Sequence, residues 1–130
     1  MAVAHRLGLF LLTAFLAVPA RAEIVSCHYT YGGEEKRLVA RPVASPYAVP
    51  NIAVGSYFQF RVVFQAEPAD LASVKVYVFA DRDAGLVPIH QATYPYPPTA
   101  KADARFGFTG QQLVYEPVRD GELQYWCRIL

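Results

Sequence analysis

The fold class predicted by this 130-residue sequence is all-β, a single antiparallel β-sandwich of about seven to eight strands. Three observations lead there. Beyond the first 22 residues, no stretch repeats its apolar positions with helical period over ten residues. Short alternating segments are instead separated by Gly, Pro and Asp clusters. The only two cysteines, Cys27 and Cys127, fall in the first and last of those segments, so a disulfide between them would join the first strand to the last.

Residues 1–22 are expected to stand outside the domain. His5 and Arg6 give a short polar start, and Leu7 to Val18 is a largely apolar run of 12 residues. Pro19 breaks it, and Ala20 and Ala22 supply small residues where a signal peptidase reads. This is the plan of a Sec-type secretory signal peptide cleaved after Ala22. A spanning helix needs about 20 apolar residues, so the run is too short for stable membrane insertion. The remaining residues, 23–130, suffice for one domain. Removing Arg6 and Arg21 leaves ten basic against eleven acidic side chains. With no basic cluster, that balance argues against nucleic acid, whose binders neutralise phosphates. In a periplasmic or secreted chain, two cysteines read as a structural disulfide rather than a redox or metal pair.

Ile24 to Tyr31 alternates, with Val25, Cys27, Tyr29 and Tyr31 on one face and Ser26, His28 and Thr30 on the other. Gly32-Gly33 accepts the positive φ of a tight hairpin, and Glu35 to Arg41 returns. Pro42 to Gly55 holds three prolines, which favours an extended polyproline-like crossing between sheets. Tyr57 to Ala66 is the clearest strand, with Phe58, Phe60, Val62 and Phe64 on its apolar side. Glu67 to Ala72 turns the chain in a single helical turn, and Val74 to Ala80 follows with Val74, Val76 and Val78 inward. Asp81 to Gly85 reads as a hairpin loop. Leu86 to Tyr94 contains Pro88, which cannot donate to a ladder and marks an edge. Tyr94 to Asp103 is loop, Phe106 to Phe108 a weak strand, Gln112 to Glu116 a better one, and Leu123 to Leu130 the last.

The ending Asp120-Gly121-Glu122-Leu123-Gln124-Tyr125-Trp126-Cys127 resembles the close of an immunoglobulin domain, where a Tyr lies two residues before the second Cys. The resemblance covers eight residues and implies an immunoglobulin-like sandwich in general architecture. In that family the Asp lies one residue nearer the Cys, the Trp is in an earlier strand, and a further strand follows. The bridge here would also join first to last strand, unlike that family's inter-sheet bridge.

No stretch carries a catalytic or cofactor signature, so the reading is non-enzymatic, with no cofactor and no metal. His28 and His90 lack a companion ligand at chelating spacing. Ser26, Ser45, Ser56 and Ser73 lack a Gly-flanked elbow, and the acids Glu34, Glu35, Asp81 and Asp83 fall in turns. Aromatic residues are the remaining signal. Tyr77 and Phe79 occupy what should be the wet side of their strand, with Tyr57 near them and Tyr47, Tyr94 and Tyr96 in the two Pro segments. These six form the expected binding surface. The Pro-rich crossing, through Tyr47 and Val49, is the expected cover if Tyr77 and Phe79 are shielded from within. The expected function is an exported module that binds another envelope or extracellular protein. A small-ligand or carbohydrate binder with an aromatic face is the alternative, and a small hydrolase ranks third. Purified from its exporting host, the protein should begin at Glu23 by amino-terminal sequencing; a chain retaining Leu7 to Val18 would refute the leader.

Overall fold

The computed structural model describes residues 14–17, 22–99 and 103–130. Most of the leader, residues 1–13 and 18–21, lies outside the described residues, as do 100–102 of the loop expected at Tyr94 to Asp103. Residues 14–17 are exposed and without regular structure.

Eight strands form two four-stranded antiparallel sheets packed face to face. In chain order they are β1 (Val25–Tyr31), β2 (Glu34–Ala40), β3 (Ile52–Val54), β4 (Phe58–Gln65), β5 (Ser73–Arg82), β6 (Gly85–Pro95), β7 (Gln112–Glu116) and β8 (Gly121–Ile129). The first sheet has the order β2-β1-β8-β7 and the second β3-β4-β5-β6. The second is a plain meander; the first is assembled from the two ends of the chain. Its central pair, β1 and β8, places Cys27 directly opposite Cys127, 4.1 Å apart at Cα and joined by a disulfide. Both cysteines are fully buried. The bridge thus ties neighbours within one sheet, as the departure from the immunoglobulin pattern implied.

The core follows the alternation read from the sequence. Val25, Cys27 and Tyr29 of β1 and Leu123 and Tyr125 of β8 form one buried cluster with Phe58, Phe60, Val62 and Phe64 of β4 and Val74, Val76 and Val78 of β5. Phe60 sits between Tyr29 and Tyr125, with ring centroids 5.4 and 5.5 Å away. Each such side chain gains about 1.5–3 kcal/mol from leaving water. β6 is an edge strand, as Pro88 required, and a bulge beside Ile89 shifts its register on β5.

Four expectations need correcting. The crossing from Pro42 to Gly55 is not extended throughout, since Pro46–Ala48 makes a 3-10 turn and Ile52–Val54 is a strand paired with β4. Three residues are too few for periodicity to register, and the flanking prolines masked them. The β5–β6 connection is tighter than a five-residue loop: strand pairing continues to Arg82 and Gly85. Glu67 to Ala72 closes by i to i+3 bonds, Leu71 to Pro68 and Ala72 to Ala69, and forms no helix. Phe106 to Phe108 is not a ladder strand but the end of a turn closed by Asp103 and Gly107, which then bridges to Cys127. Gly107 has φ +64°, and a Cβ there would lie 2.0 Å from the Cys127 carbonyl oxygen, so only glycine permits this approach.

Closing a loop of 100 residues stabilises by about 4–5 kcal/mol in the chain-entropy model. Cys127→Ser should therefore lower the melting temperature by more than about 5 °C, and the unfolded, unreduced wild type should show no reactive thiol. Two titratable thiols in the oxidised native protein would contradict the bridge.

Candidate functional site

The six aromatic residues singled out by sequence do not form one surface. Tyr77 and Phe79 lie half-buried on the outer face of the β3-β4-β5-β6 sheet, rings 6.3 Å apart and within 15° of parallel. Their cover is not the expected one: Tyr47 is 93% exposed, and Val49 lines a groove at the open seam with Leu38, Ile52 and Val62. Instead the guanidinium of Arg61 lies 5.1 Å from the Tyr77 ring centre, while its Nη2 donates to the Pro46 carbonyl at 2.6 Å. The crossing contributes through a backbone oxygen that anchors the Arg. Tyr57 is separated from the pair, since it packs at one end of the sandwich under Arg119, 4.2 Å from ring centre to guanidinium. Tyr94 points inward onto Phe108, and Tyr96 packs on Phe64 and donates to the Glu23 carboxylate.

A second face escaped that list. Because Cys127 faces in, Trp126 faces out, and the register builds a flat field on the outside of the β2-β1-β8-β7 sheet. Arg37, His28 and Trp126 form one row; Glu35, Thr30, Gln124 and Leu113 form the next. The chain's only Trp stacks on His28 with centroids 4.2 Å apart and planes 2° from parallel. Arg128 lies 4.4 Å from its ring centre, and Phe106 meets its edge at 6.2 Å. His28 Nδ1 is 3.0 Å from Glu35 Oε1, and Arg37 Nε donates to Ser26 Oγ at 2.7 Å. Leu113 and Tyr115, 62% and 54% exposed, extend the field across β7. The alternation of β8 was the signal that could have found it.

Beside this face, where β7 has ended, a cleft of about 510 Å³ opens between the Tyr96-Pro97-Pro98 segment and the turn at Asp103 to Gly107. Phe108, Ile129 and Arg128 complete its floor and wall.

Two polar clusters are internal. Tyr125 Oη lies 2.6 Å from His90 Nε2 across the sheets. Burial lowers the His90 pKa, and burial together with the neighbouring Tyr94 raises that of Tyr125, so both are neutral at pH 7. His28, on β1, and His90, on β6, are on different sheets. No group of three or more His, Cys, Asp or Glu side chains among the described residues is placed to hold a metal ion. At the opposite end from the cleft, Glu116 is wholly buried. It accepts from Arg82 Nη2 at 2.9 Å, from the backbone N–H groups of Val118 and Arg119, and from Arg119 Nε at 3.3 Å. Burial alone would raise its pKa; the hydrogen bonds from Arg82 and the 118–119 turn outweigh it and hold the group at about 2.

Comparisons with known protein families, curated proteins and solved structures find no match. The described residues present at their surface a stacked aromatic and cationic field, an aromatic pair on the other sheet, and apolar recesses that include this cleft and the seam groove.

A carboxyl with a depressed folded pKa adds stability above its unfolded value, near 4.5, and loses it as pH falls toward 2. The melting temperature of the wild type should fall through that window. Glu116→Gln should melt several degrees lower at pH 7, with a flatter acid limb, because Arg82 and Arg119 lose their counter-charge. Parallel acid limbs would mean that Glu116 does not carry the dependence.

Proposed function

We propose that this chain is an exported, non-enzymatic recognition module. In this reading the outer face of the β2-β1-β8-β7 sheet docks against another protein of the envelope or the extracellular space. The observation that carries the reading is the placement of Trp126, which is held outward between His28 and Arg128 while phenylalanines and Tyr125 fill the core. Trp, Tyr and Arg are the residues on which interface energy concentrates. The polar surround of Glu35, Thr30, Gln124 and Glu122 has the composition of an interface rim. Stacking holds Trp126, His28 and Arg128 in place, which reduces the side-chain entropy lost on binding. Export is supported by the leader pattern of residues 1–22 and by the disulfide.

A carbohydrate or flat-ligand reading is favoured by one separate feature, the near-parallel Tyr77 and Phe79 pair on the opposite sheet. Such rings offer stacking faces, and the chain Asn51–Gln59–Asp81 beside them offers hydrogen bonds.

Photo-crosslinking residues placed at Thr30 and at Lys75 separate the two faces. Docking through the Trp126 field predicts a discrete adduct from position 30 in the exporting cell, absent from position 75. It should disappear in Trp126→Ala, provided that variant melts cooperatively. Equal adducts from both positions, or an adduct indifferent to Trp126, would reject it.

A further inference from the structure

We propose that the cleft beside Arg128 binds a small organic monocarboxylate with an apolar body. Its volume, about 510 Å³, lies within the ~300–1,000 Å³ usual for small-ligand sites. Pro97, Pro98, Phe108 and Ile129 give it an apolar lining. The polar groups decide the charge of the guest. Asp103 Oδ1 is already engaged by the N–H groups of Arg105 and Phe106, at 2.6 and 3.1 Å. Glu23 is engaged by the Tyr96 hydroxyl. Arg128 alone is unanswered: among the described residues its guanidinium makes no ion pair, and its Nε is buried without a hydrogen-bond partner. Arg61 and Arg82 also bury an unpaired Nε, but each places Nη2 on an acceptor, Pro46 O and Glu116 Oε1; among the described residues Arg128 makes no such bond.

The stack on Trp126 holds the Arg128 guanidinium in place, so a carboxylate can take its donors with little further ordering. Arg128 is the cation that the described lining presents, and the carboxylates of Glu23 and Asp103 beside it make a second negative charge on the guest unfavourable. A single guanidinium beside an apolar floor therefore selects a compact acid with a flat or branched hydrocarbon body. This inference does not rest on protein docking through the Trp126 field; the two share Arg128, but each has its own readout and can fail separately.

Because Trp126 is the only Trp and touches Arg128, its emission reports occupancy. The probes are 3-phenylpropionate and 4-methylpentanoate, added to the oxidised full chain and followed by fluorescence and calorimetry. The uncharged 3-phenylpropionamide and the dianion phenyl phosphate serve as comparisons. Saturable binding of at least one acid is expected, with the amide weaker by about ten- to a hundredfold, the range for a hydrogen bond to a charged group. Arg128→Gln should reduce binding of the acid to the level of the amide. If that variant fails to fold, the wild-type contrast between acid and amide still decides. No saturation by either acid up to about 10 mM, equal binding of acid and amide, or tighter binding of phenyl phosphate would each overturn the proposal.

Discussion

Pairing the first strand with the last is the constraint on which the rest of the structure depends. β1 and β8 lie side by side in the middle of their sheet, matched from Val25 with Ile129 to Thr30 with Gln124. Once that pair is set, β2 can only take one flank and β7 the other. Everything from the crossing to the end of β6 must then form a layer of its own. The second sheet needs no distant partner, because β3 to β6 are consecutive hairpins. The loop-closure entropy falls almost entirely on the sheet built from the chain ends, and that is where the disulfide acts.

The sandwich is unlike at its two ends, and the difference follows from what fills each. At the end formed by the 117–120 turn, Glu116 links β7 to Arg82 of the opposite sheet, and Arg119 continues to the Tyr57 carbonyl and ring. Buried charge closes that end, with four donors on one carboxylate. At the far end, contacts are aromatic: Phe64 with Tyr96 and Tyr94 with Phe108. There β7 has stopped and the turn at Gly107 takes over its place beside Cys127. The cleft lies where Tyr96 and Phe108 meet Arg128.

Most of the architecture was legible because period-two alternation and two cysteines are local signals with one physical meaning. Alternation assigned Phe60 and Val76 to the core, and the cysteine spacing joined β1 to β8. What stayed hidden depends on approaches between distant residues. Glu116 reads only as the last residue of a strand; Arg82, 34 positions away, and the 118–119 turn make it a buried hub. β3 is too short to alternate visibly. The candidate surface divides differently: alternation places Tyr77 and Phe79 on an outer face, whereas Tyr47, Tyr94 and Tyr96 join them only by the composition of the Pro segments. Tyr57, Tyr77 and Tyr94 belong to an end, an outer face and the interior respectively. The parity that buries Cys127 already turns Trp126 outward.

The position of Trp126 gains meaning from what lies beneath it. Directly adjoining it in β8 is Cys127, whose bond to Cys27 fixes the neighbouring strand that carries His28. The stacked field therefore rests on the most constrained pair of strands, where its rings keep their spacing without help from a loop. Recognition surfaces built on strands hold geometry better than those built on connections. The cleft has the opposite character, since a Pro segment and a turn make most of its wall and only Ile129 and Arg128 come from β8. Arg128 belongs to both, stacked on the rigid field and open to the cleft. Its guanidinium is thus the one described contact between the stacked Trp126 field and the lining of the cleft.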